Sequence, residues 1–357
     1  MVIDELLELV IDNNASDLHL SVGLPPIIRV HGELLKTELP DLTAQDVEQL
    51  VFSMLTAEQR RYLEQHLELD CSYGIFGLGR FRVNIYKERG TYAAALRTVA
   101  SVTPTIEQLG LPTIVKDLTR KPRGLILVTG PTGSGKSTTL AAMIDSINTS
   151  HACHILTIED PIEFVHNSKK ALVHQRELGA DTKTFANALR ASLREDPDVI
   201  LIGEMRDLET IQLAITAAET GHLVFGTLHT SSAIQTIDRI VDAFPPGQQQ
   251  QIRVQLSTSL VAVLAQTLLP KRTPEGRQDG RILAQEIMIV TPAIANLIRE
   301  SKTIQMYSSI QTGAQHGMIT LEASLKNLYD RKLIAYEDAM MVTSRPDDLA
   351  KLLGYNT

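Results

Sequence analysis

Between residues 124 and 140 the chain reads G-L-I-L-V-T-G-P-T-G-S-G-K-S-T-T-L, and the types from Gly130 to Ser137 are those that hold a triphosphate. The spacing G-x-x-x-x-G-K-[ST] is filled at every defined position. Gly130, Gly133 and Gly135 allow backbone N–H groups to converge on phosphate oxygens, and a helix N-terminus there adds partial positive charge. Lys136 is placed to reach the β- and γ-phosphates, and the Ser137 hydroxyl to ligate Mg²⁺. Pro131, Thr132, Ser134 and Thr138 complete the stretch expected to wrap the phosphates. Two elements must flank such a loop. Leu125 to Val128 is an apolar run without polar alternation, as in a strand buried on both faces. Beyond Ser137, the residues Leu140, Met143, Ile144 and Ile147 fall on one face of a helix.

Further chemistry-bearing residues follow the loop. The stretch H-I-L-T-I-E-D-P-I-E (154–163) is a β-branched strand that delivers Glu159, Asp160 and Glu163 to its end. One such carboxylate can polarise an attacking water while others hold a metal's shell; a solvated acidic loop is the alternative. The stretch D-V-I-L-I-G-E-M-R-D (198–207) is a buried strand ending in an acid, which suits a carboxylate near Mg²⁺. Gly203-Glu204 stands where an aspartate commonly follows the apolar run, and the longer glutamate side chain suits action through a metal-bound water; Asp207 suits a helix cap. His222 and His229 bracket a short strand, and their odd separation sends them to opposite faces of a regular strand, which disfavours a zinc pair. A histidine at a strand's C-terminal end can sense a γ-phosphate; a core histidine is the other reading. Arg80, Arg82, Arg89 and Arg97 are candidates for a charge-neutralising arginine, supplied by a neighbouring subunit if the chain forms a ring, against the alternative of solvated surface groups.

The 357 residues suffice for two domains, and 43% of them are hydrophobic. Lys and Arg number 34 against 42 Asp and Glu, a net charge of −8, which argues against a generic nucleic-acid coat, as does the scarcity of aromatic residues for base stacking (Tyr 8, Phe 7). Cys71 and Cys153 are the only cysteines, which excludes a disulfide framework or a four-cysteine zinc site and suits a reducing, cytoplasmic setting. The acidic, amphipathic start is no secretory signal, and no apolar run approaches the ~20 residues of a membrane helix; membrane insertion is not expected.

Residues 1–100 read as an α+β domain. Ile3, Leu6, Leu7 and Val10 share a helix face; 17–21, 27–30, 80–86 and 92–99 look like strands; Thr43 with Asp46 and Thr56 with Gln59 look like capping boxes. His19 and His31 lie near turns, where a structural role is commoner than ligation. Residues 101–123, with Pro104, Gly110, Pro112 and Pro122, suit a linker containing one short helix. From Gly124 strand and helix patterns alternate, implying an α/β domain with a mostly parallel sheet over 124–357.

The chain resembles the secretion-type ATPases of the RecA-like P-loop class, and among them the type IV pilus retraction ATPases of the PilT type. The likeness rests on S-D-L-H-L (16–20), R-F-R-V-N (80–84), G-P-T-G-S-G-K-S-T-T-L-A-A-M (130–143), I-E-D-P-I-E (158–163), R-E-D-P-D-V-I-L-I-G-E-M-R-D-L-E-T-I (194–211) and T-A-A-E-T-G-H-L-V-F-G-T-L-H-T (216–230). It implies a PAS-like N-terminal domain, a RecA-like ATPase domain with a helical C-terminal part, and a homohexameric ring. ATP and Mg²⁺ would be held by Lys136 and Ser137. It further implies Glu163 as general base, Glu204 as an atypical Walker B acid, His222 and His229 as the histidine box, and Arg82 and Arg97 as arginines that approach the nucleotide. Its partners would be the pilus machinery and an inner-membrane platform protein, which would bring a cytoplasmic protein to the inner membrane without inserting it. The family's A-I-R-N-L-I-R-E signature stands here as A-I-A-N-L-I-R-E, with Ala295 in place of arginine. Pilus extension motors share the core but carry an additional N-terminal domain and a tetracysteine motif, so retraction is expected over extension, with an accessory retraction paralogue and a nucleic-acid translocase as the alternatives.

Overall fold

The computed structural model describes residues 2–75, 77–100, 102–273 and 278–355; Ser101, the first residue of the expected linker, lies outside them. The chain divides into two compact units, Met1–Val102 with Pro161–Val165, and Thr103–Asp160 with His166–Thr357.

The first unit is built on strands β1 (Asp17–Leu20), β2 (Ile27–Val30), β3 (Glu33–Lys36), β4 (Glu68–Ile75), β5 (Gly79–Glu88) and β6 (Thr91–Thr98). They form one sheet in the order β3-β2-β1-β6-β5-β4, antiparallel at every pairing. The alternation Phe81, Val83, Ile85 on β5 turns one face toward helices Ile3–Asp12, Ala44–Ser53 and Ala57–His66, where Leu6, Leu7, Val47, Val51 and Leu63 are buried with it. Thr43 and Thr56 do cap the second and third helices, each accepting the N–H three residues on, with Asp46 and Gln59 reaching back. Arg89 and Gly90, with φ of 49° and 84°, make the tight turn between β5 and β6. His31 (φ 49°) and Gly32 do the same between β2 and β3. Strands β3 and β4 were not foreseen, although Leu69, Cys71, Tyr73 and Ile75 of β4 alternate along the strand and pack against this core.

The second unit has β7 (Gly124–Thr129), β8 (His154–Glu159), β9 (Leu172–Glu177), β10 (Val199–Ile202), β11 (Leu223–Leu228), β12 (Leu260–Arg272) and β13 (Gln278–Ile289), in the order β13-β12-β7-β11-β10-β8-β9. Every pairing is parallel except β12 with β13. The apolar runs arise because both faces are covered. Ile126, Val128, Ile155, Leu201, Phe225 and Leu264 pack on the side of helix Lys136–Ser150. Leu127, Leu156, Ile200, Val224 and Val263 pack on the side of helices Leu208–Glu219, Ala233–Asp242 and Pro246–Ser259.

From Thr103 onward, the segment expected as a linker belongs to this unit: helix Thr113–Leu118 buries Val115 and Leu118, with Ile106 and Leu111, in the same core as Ile126. The signature helix Pro292–Arg299 buries Ile294 and Ile298, and Ala295 is half-buried beside them. No helix among the described residues is long and apolar enough to cross a membrane.

Phe225 is fully buried in β11, the strand beside the phosphate-loop strand. Phe225→Ala is expected to cost about 3–5 kcal/mol, read as a lower urea midpoint at unchanged m-value.

Candidate active site

Four parallel strands end along one edge of the second unit's sheet, and each hands a polar segment to that edge. β7 runs into the glycine loop, β11 into His229, β10 into Gly203-Glu204, and β8 into Glu159-Asp160. Strand β11 lies between β7 and β10, so the loop's strand and the strand of Glu204 are about 10 Å apart at ~4.8 Å per strand. That gap can admit phosphates together with a metal ion and a water.

The loop leaves β7 at Gly130 (φ 139°), where a β-carbon would lie 2.2 Å from the Gln266 carbonyl oxygen and 2.6 Å from Ser134 Oγ. Only glycine fits there. The Lys136 ammonium donates to the carbonyls of Gly130 (2.8 Å) and Pro131 (3.0 Å). Lys136, Ser137 and Thr138 open the helix Lys136–Ser150, half-buried, and the first N–H groups of any helix lack partners within it. Pro131, Thr132 and Gly133 are exposed, and Gly135 (φ 90°) is the helix cap. Ser134 is buried with no hydrogen-bond partner for Oγ, as is Thr129 Oγ1 at the strand's end.

Two contacts here were not foreseen. Gln266 of β12 exchanges hydrogen bonds with Thr139 behind the loop, and Arg281 of β13 donates to the Gly133 carbonyl at 3.2 Å. Both join residues more than a hundred positions apart, which no local pattern encodes.

Glu204 meets a guanidinium and an imidazole. Its Oε1 accepts from Arg206 Nε and lies 3.0 Å from His229 Nε2. Burial pushes the Glu204 carboxyl up, but the bond and charge of Arg206, reinforced by His229, outweigh it and hold the group below the usual carboxylate range. It is therefore ionised at neutral pH. The E-x-R spacing was the available signal for Arg206, since alternate residues beyond a strand end can turn to the same side. Met205 N–H donates to Thr227 and Thr227 Oγ1 to Gly203, which ties the Glu204 segment to the strand leading into His229. Glu159 accepts from Thr157 (2.7 Å) and Gln175 (3.1 Å) on its own side of the sheet. Asp207 caps helix Leu208–Glu219 through the Thr210 N–H, the structural role its position suggested.

The remaining candidates lie elsewhere. His222 precedes β11, at the opposite end from His229 and roughly 20 Å along the strand at ~3.3 Å per residue. Its Nδ1–H donates to the Ala217 carbonyl at 2.9 Å, so within one subunit it does not join the Glu204 cluster. Glu163 is exposed and belongs to the 161–165 segment that packs with the first unit, where Phe164 bridges Ala100. In the first unit, Arg82 and Arg97 face each other across β5 and β6 on the exposed side of the sheet, and Arg97 Nε donates to Asp17 at 2.9 Å. Arg29, also opposite Asp17, adds to that row, and Arg80 donates to Ser72 beside it. On the same face His19 has a buried Nε2 without a partner, and burial lowers its pKa. No set of three or more His, Cys, Asp or Glu residues able to hold a metal occurs among the described residues.

The hydroxyl of Ser137 and the ionised Glu204 are hard oxygen donors of the kind Mg²⁺ prefers, and the buried, unpartnered Ser134 Oγ suits a phosphate-lined cradle. Together with the strand order, these features define a P-loop nucleoside triphosphatase. The sequence matches the type II/IV secretion system protein family over residues 1–327, and the chain belongs to that family. It is 54% identical to the type IV pilus retraction ATPase PilT of Pseudomonas aeruginosa over 98% of this chain and 100% of that one. It is likewise 54% identical to a twitching motility protein of Neisseria gonorrhoeae over 88% of this chain and 83% of that protein. Among solved structures, the pilus retraction motor PilT with bound ADP superposes with a TM-score of 0.88 at 50% identity, covering 98% of this chain and 99% of that one. The Legionella pneumophila ATPase DotB follows at 0.81 and 28% identity, with 95% and 94% covered.

Glu204 contributes stability only when ionised, because its folded pKa is depressed. Glu204→Gln is therefore expected to lower the melting temperature at neutral pH. The difference from wild type should close as pH falls below ~4.3, the unperturbed value, and through the lower folded one; thermal melts from pH 7 to pH 3 check this.

Proposed function

We propose that this chain is a subunit of a motor that hydrolyses ATP to drive type IV pilus retraction and twitching motility. The observation that carries the reading is the meeting, on one sheet edge, of the Lys136-Ser137 loop with the ionised Glu204–His229 pair, in a chain that matches pilus retraction ATPases over nearly its whole length. Lys136 would exchange the carbonyls of Gly130 and Pro131 for phosphate oxygens, and loop N–H groups would complete the cradle. Ser137 and Glu204 would hold Mg²⁺, which when bound neutralises charge on the phosphates. His229, already against Glu204, is placed at the strand end to report the terminal phosphate. Glu163 is assigned the general base, taking a proton from water, on the strength of the family pattern. Arg82 and Arg97 would serve a neighbouring subunit's nucleotide from the exposed sheet face, with Arg97 exchanging its bond to Asp17 for phosphate. His222 is assigned, with His229, to the histidine box on the strength of the family pattern, though within one subunit it stands apart from the Glu204 cluster.

In this reading copies of the chain assemble as a homohexamer of PAS-like and RecA-like domains, divided near residues 101–123, on the cytoplasmic side of the inner membrane. Sequential closure around the ring would act on an inner-membrane platform protein of the pilus machinery. An accessory retraction role has less support, since identity to the type IV pilus ATPase PilU of P. aeruginosa is 38% against 54% for PilT.

Lys136→Ala and Glu163→Gln are each expected to lower steady-state ATP turnover by about a hundredfold or more. Near-wild-type turnover in either variant would remove that residue from the mechanism. Deleting the gene should leave cells with excess surface pili and no twitching; bald cells would mark an extension motor instead.

A further inference from the structure

Glu286 on β13 is an acid in a place that would ordinarily hold an apolar side chain. It is 5% exposed and faces Ala265 of β12, which in turn faces Thr129, the residue before the phosphate loop. Its Oε1 accepts the N–H of Ala233 at 2.7 Å. Ala233 is the first residue of helix Ala233–Asp242, and that helix begins four residues after His229.

The short loop between is bound to the same first turn. Thr230 Oγ1 pairs with Thr236 Oγ1 at 2.7 Å, Ser231 donates to Gln235, and Ser232 caps the helix through the Gln235 N–H. Ser231 also borders a cavity of about 190 Å³, lined besides by Pro131, Ala265, Thr267, Leu321 and Val342. Of the polar contacts on this turn, the one that Glu286 makes is the buried one.

Resting on the ATPase reading above, we propose that Glu286 is a positioning residue for hydrolysis. Its carboxylate ties the first turn of helix Ala233–Asp242 to β13 and thereby holds the loop 229–232, with His229 against Glu204, in the arrangement the reaction needs.

The surroundings of Glu286 make the anchor responsive to pH. Burial pushes its carboxyl up to about 7, against the lowering effect of the Ala233 N–H; Glu322 raises it further and Arg345 lowers it. Glu322, on helix Leu321–Asp330, accepts from Tyr307 and Thr343, and Arg345 lies over the Tyr307 ring. Above about pH 7 Glu286 is an anion at a helix N-terminus, its strongest state as an acceptor; below, it is neutral and holds the N–H more weakly. A folded pKa raised above the unfolded value means that ionisation costs stability as pH rises through about 7. Glu286→Gln removes that cost and should melt higher than wild type at pH 8 but not at pH 5.

The test is steady-state ATP turnover by the full chain from pH 6 to 8.5, for wild type, Glu286→Gln and Glu286→Ala. As pH falls through 7, wild-type kcat should drop about threefold more than that of Glu286→Gln. At pH 8, Glu286→Ala should lose about tenfold in kcat with KM for ATP within about twofold, as for a misplaced rather than a missing contact. Glu286→Gln is isosteric and keeps an acceptor for Ala233, so it carries the test if Glu286→Ala does not fold. Parallel pH profiles for wild type and Glu286→Gln, with wild type active, overturn the proposal alone. A wild type no faster than Lys136→Ala overturns the ATPase reading and this inference together.

Discussion

The phosphate loop begins where two backbones nearly touch. Gly130 and the carbonyl of Gln266 are so close that a single added carbon would collide with a main-chain oxygen, which cannot swing aside as a side chain could. That approach exists because β12 runs parallel to β7, with Ala265 in register with Thr129. Gln266 then turns its amide to Thr139 inside the helix that follows the loop. Strand, loop and helix are thus referenced to a strand that lies well over a hundred residues further along the chain. The position of Lys136 and Ser137 is consequently a property of the whole sheet, not of the glycine-rich motif alone.

Charge is arranged with the same economy. Glu204 is partly withdrawn from water at a strand end and stays ionised because Arg206 and His229 both meet one of its oxygens. Glu286 has little such compensation and titrates near neutrality. Two acids in one unit are pushed to opposite protonation behaviour by their neighbours. The better-compensated one sits where a metal and a triphosphate would need a fixed negative charge, and the other at the root of the adjoining loop.

Much of this was legible in the sequence because it is local. The triphosphate loop, the buried runs of β7 and β10, the face of helix Lys136–Ser150 and the two capping boxes all follow from spacings shorter than a helical turn or two. Leu260 to Leu269 shows where locality ends. It is an apolar run with no alternation to mark a role, yet it lies in strand β12, whose Gln266 has a buried partner. Contacts set by tertiary pairing left no trace: Arg281 on the Gly133 carbonyl, and Glu286 on the Ala233 N–H. The proline-rich stretch around residue 112 has a linker's composition, yet it folds into a core because Ile106, Leu111, Val115 and Leu118 can be buried together.

The path of the chain carries a mechanical consequence. Backbone passes from one unit to the other three times, at 102/103, 160/161 and 165/166, so no single swivel joins them. Two of those crossings flank a five-residue excursion that starts two residues beyond the end of β8. The later pair of crossings thus lies in sequence directly after the strand that carries Glu159 to the edge where the phosphates are expected.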